Sequence, residues 1–241
     1  MATSPLAVVE TTQIGEGVVV HPFAVVGPGV ILGDRVVVHP HAVLEGVVEV
    51  GDGAEVMAGA HLGRTPASIA AVARPPGGAG PVRIGPRSSV GSHAVIYSDV
   101  WLGADTLIGD GASIREGNRI GNRCLIGRYV TVNYDSSIGD DTKIMDLSVV
   151  TGNCRIGADV FISFHVVTVN DNLLGREGYD SERAVGPTIE DGAAVGAGAV
   201  LLPSVVIGEG ATVASGAVVT RDVAAGMTVM GVPARPVERK R

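Results

Sequence analysis

Aromatic side chains are almost missing from this chain: they make up 3% of 241 residues, with one Trp, three Phe and four Tyr. An ordinary globular core draws much of its buried area from such bulky groups, so a conventional layered interior is excluded. Cysteine is nearly as scarce. Cys124 and Cys154 alone build neither a disulfide framework nor a zinc knuckle, which fits a reducing, cytoplasmic setting. No apolar run reaches the ~18 residues that a membrane helix requires. Residues 1–10 lack the basic, apolar and small-residue zones of a secretory leader. Positive charge is also in deficit: 18 Lys and Arg against 25 Asp and Glu give a net charge of −7, which disfavours a nucleic-acid partner. What the chain has in abundance is 35 Gly and dispersed Val, Ala and Ile.

Those aliphatic residues keep a strict period. Ile14, Val20, Val26, Leu32, Val38, Leu44, Val50, Val56 and Leu62 recur every six residues, and a small or β-branched residue stands two positions before each of the last eight. The spacing resumes from Ile84 to Ile162 and again from Ile189 to Val219, giving 29 hexads in three blocks. A period of six matches neither the helical period of 3.6 nor simple strand alternation. It fits short strands joined by tight corners, with Gly where a corner needs positive φ. Three hexads close an 18-residue triangular coil whose interior admits only slim side chains, which explains the missing aromatics.

On these repeats, residues 14–223 resemble the hexapeptide-repeat acyltransferases. The resemblance implies an all-β fold, a left-handed parallel β-helix of about ten coils over residues 1–223. A tail at 224–241 then contributes to coenzyme A binding. The left hand would be an exception to the usual right-handed crossover.

Two insertions interrupt the register. Residues 64–83 read as a short helix with Thr65 as N-cap, Pro66 in the first position and a Pro-Pro-Gly-Gly stop. Residues 170–187 read as a polar loop, and long loops on a rigid scaffold carry function. Residues 18 apart stack about 4.8 Å apart along the axis, so each corner reads as a column. After Ile84, Leu102, Ile120, Ile138 and Ile156 the next residue is Gly, a plain turn. After Ile96, Ile114, Val132 and Val150 it is Tyr97, Arg115, Asn133 and Thr151. Beside these run the columns Ser98, Glu116, Tyr134, Gly152, Asn170 and Asp99, Gly117, Asp135, Asn153, Asp171. This polar edge ends where the second insertion departs and is the expected active-site edge. Cys124 and Cys154 fall at small inward positions and read as core filling. His21 and His39 stack one coil apart without an accompanying carboxylate, so no metal site is expected. Trp101 points outward and reads as a subunit contact.

The closing block, residues 187–237, is similar to the acetyl-CoA-binding end of the family, with GVPAR at 231–235 as its signature. The resemblance implies acetyl-CoA or another acyl-CoA as donor, no metal, and a homotrimer with active sites between subunits. It assigns the corner at Ala194, Gly196, Gly198, Ala214 and Gly216 to pantetheine. Arg221, Arg235 and Lys240 are assigned to the CoA phosphates, since five cations crowd the last 21 residues of an acidic chain. The galactoside and maltose O-acetyltransferases carry a catalytic His where this chain has Asn170 and Asp171. The bacillosamine-type and lipid A enzymes carry theirs in a turn that here reads Asp140 and Asp141. Carrier-protein-dependent lipid A enzymes also add a long helical domain, whereas 18 residues follow Val223. Asn170 and Asp171 instead resemble the pair in N-acetyltransferases of UDP- or dTDP-linked amino sugars, which manage without a His base. On that likeness Asn170 and Asp171 hold the amine, Asp171 accepting its hydrogen bond. Asp135 and Asn153 line the edge, and Tyr134 contacts the sugar or pyrophosphate. Gly152 stands where some relatives carry Glu. Arg176 and Arg183 are the candidates for the nucleotide diphosphate. A sugar amine is substantially neutral at about pH 7–8, so positioning and oxyanion stabilisation suffice. Two other readings stay open: sugar O-acetylation with His165 as base, from a different corner, and a non-catalytic β-helix scaffold. The expectation is a cytoplasmic protein with neither nucleic-acid nor membrane partners.

Overall fold

The computed structural model describes residues 2–69, 71, 74, 75, 77 and 80–237. Short β-branched pairs set its geometry. In Val19–Val20 and Val37–Val38 the second residue is buried and the first faces outward, because side chains alternate along a strand. A corner follows each pair, and every third strand returns to the same sheet. Among the described residues this gives sheets of 13, 11 and 10 strands, beginning at Ala2–Thr3, Val8–Val9 and Gln13–Ile14. Pairing is parallel except where Thr228–Met230 meets Arg235–Pro236. The fold is the expected all-β, left-handed parallel β-helix.

It has about 12 turns rather than ten. Ala2 pairs with Val19 and Val8 with Val25, 17 residues on, so a coil one residue short precedes Ile14. At the far end Thr212 pairs with Thr228 and Ile207 bridges Val223, 16 residues on. A strict count of hexads stops at both places, while the hydrogen-bonded coil continues.

The interior is a stack of aliphatic rungs, with Leu32, Ile96, Ile126, Ile162 and Leu201 among the largest fully buried side chains. Each contributes ~1.5–3 kcal/mol by burial and touches mainly the coils above and below. Inward polar side chains hydrogen-bond the backbone of neighbouring coils. Thr106 Oγ1 donates to the Gly121 carbonyl at 2.9 Å and accepts the Cys124 N–H at 3.2 Å. Ser136 Oγ accepts the Cys154 N–H at 3.0 Å. Burial pushes both thiols above the ordinary thiol range, in keeping with their place in the core.

Three local expectations need correction. The column glycines after Ile84 and its equivalents do not supply positive φ. A Cβ on Gly103 would stand 2.6 Å from the Gly121 carbonyl carbon, so glycine there permits one coil to lie on the next. The left-handed position of that corner comes two residues later, at Asp105 and Arg123. Residues 65–69, expected to open a helix, are irregular, so Thr65 caps nothing. Finally, His21 and His39 do stack, 5.2 Å between ring centroids, but Glu55 stands 3.9 Å from His39 Nε2, so a carboxylate accompanies them.

Residues 171–187 form the expected polar loop of successive turns. Trp101 lies outward and 55% exposed. No helix of the described residues is long and apolar enough to cross a membrane. Both insertions leave from one corner: the first follows His61–Arg64 and the second Val167–Thr168, strands of the same 11-stranded sheet. They return to the 10-stranded sheet at Val82–Ile84 and Thr188–Ile189.

Candidate active site

Between the two departures the polar edge runs through the corners at 97–99, 115–117, 133–135 and 151–153, and the insertions converge over it at Tyr134. A Cβ on Gly152 would fall 2.2 Å from the Tyr134 ring, so the missing side chain is what lets that ring lie along the edge. Tyr134 hydroxyl is then 3.4 Å from Asn170 Nδ2, which also donates to the Gly152 carbonyl at 3.2 Å. The first insertion contributes Arg74, whose guanidinium carbon sits 3.7 Å from the Tyr134 ring centroid. The second contributes Tyr179, edge-on to Tyr134 at 6.1 Å. Together with Asp171, Asp180, Arg183 and Ala184 these groups line a cavity of about 280 Å³. Larger hollows, about 420 and 440 Å³ on the 10-stranded face and about 460 Å³ on the 13-stranded face, are lined largely by stacked strand and corner residues.

Charge fixes this arrangement. Glu116, 1% exposed, receives Arg74 Nη1 at 2.5 Å and Arg115 Nη2 at 3.0 Å. Arg74 Nη2 reaches Asp135 at 2.7 Å. Burial alone would push the Glu116 carboxyl up; the backbone N–H and the two arginines outweigh it and hold it below the ordinary range. Burial likewise works against charge on Arg74, but its bonds to Glu116, Asp135 and Tyr179 raise its pKa. Burial raises the Tyr134 phenol, which therefore stays protonated and able to donate.

The edge residues expected from the sequence divide into three groups. Tyr134, Asn170, Asp171 and Arg183 line the cavity. Asp135 and Asn153 sit beside it in supporting roles: Asp135 pairs with Arg74, and Asn153 Nδ2 donates to the Ala184 carbonyl at 2.5 Å, fastening the end of the loop. His165 is exposed at the corner between the 13- and 11-stranded sheets, and Arg176 is exposed on the loop. Within the cavity, Asp171 uses both oxygens on its own loop, accepting the Leu173 N–H at 2.7 Å and the Gly175 N–H at 2.6 Å. Those bonds lower its pKa, Gly175 contributing most. Asn170 Oδ1 accepts nothing among the described residues, and it is the free acceptor of the pair.

The residues expected to hold CoA separate too. Arg221 and Arg235 meet at a cavity of about 290 Å³ at the C-terminal end. Gly198 and Gly216 lie on the corner that also carries His165, with positive φ and open space where a Cβ would be. Gly196 differs, because a Cβ there would stand 2.4 Å from the Ser215 nitrogen and is excluded by the next coil. Ala194 and Ala214 lie on the strand and corner adjoining. Lys240 is outside the described residues.

Arg74, Glu116 and Tyr179 were not among the expected site residues. Column arithmetic cannot place a side chain that belongs to no coil, so Arg74 and Tyr179 were beyond it. One signal was available: both insertions follow the first residue after an inward position of the same column, which puts them at one corner.

Comparison with known proteins agrees with the fold. Residues 11–46, 135–170 and 186–221 match the family described as bacterial transferase hexapeptide (six repeats), the second match ending at Asn170. No curated protein matches the sequence significantly. Among solved structures, the UDP-N-acetylglucosamine acyltransferase of Arabidopsis is 23% identical over 98% of this chain and 71% of its own, with a TM-score of 0.63. The enzyme of that name from Bacteroides fragilis is 16% identical, covering 97% and 73%, at 0.55. That from Campylobacter jejuni is 19% identical, covering 98% and 73%, at 0.53. Its repeats match the bacterial transferase hexapeptide family over those three segments, and its architecture agrees with that match.

Proposed function

We propose that the protein transfers an acyl group, acetyl in the simplest case, from coenzyme A to the amino group of a nucleotide-linked amino sugar. The observation that carries this reading is the pairing of Asn170 with Tyr134 inside the cavity, with Asn170 Oδ1 left free to accept an N–H. An amine attacks a thioester as the neutral base, so an acceptor that orients its lone pair is sufficient. Attack forms the new N–C bond, the tetrahedral oxyanion collapses, and the CoA thiolate leaves and takes up the proton released from nitrogen. Asp171, held as a carboxylate by its loop, organises the 170–187 segment and places its negative charge beside the amine as that nitrogen becomes cationic. The cavity is of the order that a pyranose ring fills, and the small corner at Gly198 and Gly216 suits the close approach of pantetheine. Arg221 and Arg235 supply charge for the CoA phosphates. The corner with Gly198 and the edge with Asn170 are different corners of one prism, so a donor on one and an acceptor on the other react across neighbouring subunits, as in a homotrimer. No metal enters this scheme, and the setting is cytoplasmic.

The test is direct. The protein is incubated with acetyl-CoA and a panel of UDP- and dTDP-linked amino sugars while free thiol is followed. Thiol release that depends on the amine is expected. Turnover confined to hydroxyl acceptors, abolished in His165→Ala, would replace this reading with O-acylation by a neighbouring imidazole. Failure to bind CoA at all would replace it with a scaffold role.

A further inference from the structure

The arginines near the cavity differ in what already neutralises them. Arg183, on the second insertion, is committed: its Nη1 lies 2.8 Å from Glu177, its Nε 3.5 Å from Asp180, and its Nη2 3.4 Å from the Glu177 carbonyl. Arg176 is exposed and outside the lining of the cavity. A different pair stands on the prism edge. At Arg64 the parallel pairing shifts by one residue, which sets Arg64 opposite Tyr97 at the point where the first insertion leaves. Arg64 Cζ is 5.4 Å from the Tyr97 ring centroid, and Arg115 Cζ is 5.6 Å from the same centroid. Arg115 is also 6.0 Å from the centroid of Tyr134, the ring whose hydroxyl approaches Asn170.

The charge count on this edge does not close. Arg74 and Arg115 share Glu116, and Arg74 alone takes Asp135. Asp99, the next carboxylate along the edge, is taken by Arg119 at 2.6 Å. Arg64 has neither a carboxylate nor a carbonyl partner among the described residues. On this edge, among the described residues, one guanidinium is therefore uncompensated, beside a second that keeps 29% of its side chain exposed, in a chain that is acidic overall.

We propose that Arg64 and Arg115, on either side of Tyr97, seat the diphosphate of a nucleoside diphosphate. The sugar then extends along the edge past Tyr134 to Asn170. Guanidinium N–H donors suit two adjoining phosphates: Arg64 presents its whole fork, Arg115 the Nη1 left after its Nε and Nη2 bind Glu116, and Tyr97 holds the two apart. The assignment of the sugar rests on the acyl-transfer reading above, whereas the anion seat rests on charge and geometry alone. It moves the diphosphate from the loop arginines, where the sequence placed it, to the edge of the prism.

Isothermal titration of the full chain with UDP, dTDP and inorganic pyrophosphate tests the seat without requiring turnover. Arg64→Ala is expected to weaken all three by roughly tenfold or more, the value of a lost charge-assisted hydrogen bond. Arg64→Lys should retain part of that affinity, since an ammonium keeps the charge and loses the fork. CoA binding should be unchanged in both, and Arg176→Ala should bind the diphosphates within about twofold of the parent protein. Arg64 is exposed, so an unchanged thermal melt confirms that the variant folds. The proposal is overturned if Arg64→Ala binds all three as the parent does, if Arg176→Ala or Arg183→Ala loses what Arg64→Ala retains, or if the parent takes up none of them. A parent that binds UDP through Arg64 yet acylates no amino sugar would overturn the acyl-transfer reading and support the seat.

Discussion

Two corners of this prism are lined with arginine and aspartate, and they use them differently. On the corner between the 10- and 13-stranded sheets the tight ion pairs of the described residues join residues 18 apart: Arg87 to Asp105 and Arg123 to Asp141, each through two hydrogen bonds, with Asp140 3.6 Å from Arg123 as well. The side chains beside them cap the backbone one coil below, Asn122 accepting from the Ala104 N–H and Asp140 from the Asn122 N–H. That corner is a ladder, complete within the repeat and exposed. On the corner between the 11- and 10-stranded sheets the contacts ignore the repeat. Arg74 reaches 42 residues to Glu116 and 61 to Asp135, and Asn153 reaches 31 to Ala184. Charges paired at the coil spacing join one coil to the next at the surface; charges paired off it tie inserted segments to an edge and enclose a cavity.

The largest effect that distinguishes the two corners is on stability. Glu116→Ala leaves Arg74 and Arg115 partly buried without their shared carboxylate and should cost roughly 3–5 kcal/mol in denaturant unfolding. Arg123→Ala removes a fully exposed partner and should leave the midpoint where it was. Comparable losses at the two sites would mean that the ladder also bears on global stability, and the distinction between the corners would fail.

Next in size is the acceptor geometry. Asn170→Ala removes the free carbonyl acceptor of the cavity and should lower kcat/KM for the amino sugar by ~10²-fold, as loss of one oriented polar group at a reacting centre does. Gly152→Ala should act through Tyr134, because the added methyl occupies the ring's place. A tenfold or greater fall in kcat/KM with a small change in melting is expected from that displacement. Gly103→Ala on the ladder side should show the converse, lost stability with the catalytic ratio intact, because its Cβ meets backbone of the next coil.

How far the sequence reveals these features depends on whether they share its period. The rungs from Val20 to Val219, the inward thiols and the outward Trp101 follow from counting by six, since a repeat fixes both face and neighbour. Tyr134 and Asn170 were legible because they stand in a polar column at a corner where no turn geometry requires polar side chains. The extra coils at the ends were not, because segments one or two residues short shift the register while preserving the hydrogen bonds. Nor were the roles of Arg74 and Tyr179, which depend on how irregular segments fold back over the edge. Asp171 is the instructive case: its position was readable, whereas its engagement with the Leu173 and Gly175 amides depends on a loop conformation that no periodicity encodes.

The smallest effect concerns pH, and it separates the loop from the ladder by location rather than by sign. Asp171 in the loop and Asp140 and Asp141 on the ladder all have folded pKa values below the ordinary carboxyl range. Each therefore contributes order that is complete above the unfolded carboxyl pKa, ~3.9, and is lost as pH falls through the lower folded value. Near neutrality none of the three titrates, so the pH dependence of acyl transfer from about pH 6 to 9 should follow the acceptor amine alone and rise as that amine loses its proton. Below pH 4 the loop should loosen at Asp171, seen as faster amide exchange across residues 170–187, while the coils keep their protection through the buried backbone ladder. Asp171→Asn should produce that loosening at neutral pH, because an amide offers one oxygen where the loop uses two. If this variant kept loop protection but lost amine turnover, Asp171 would act on the amine itself, and the edge would contain two acceptors for the substrate instead of the single free acceptor assigned to Asn170.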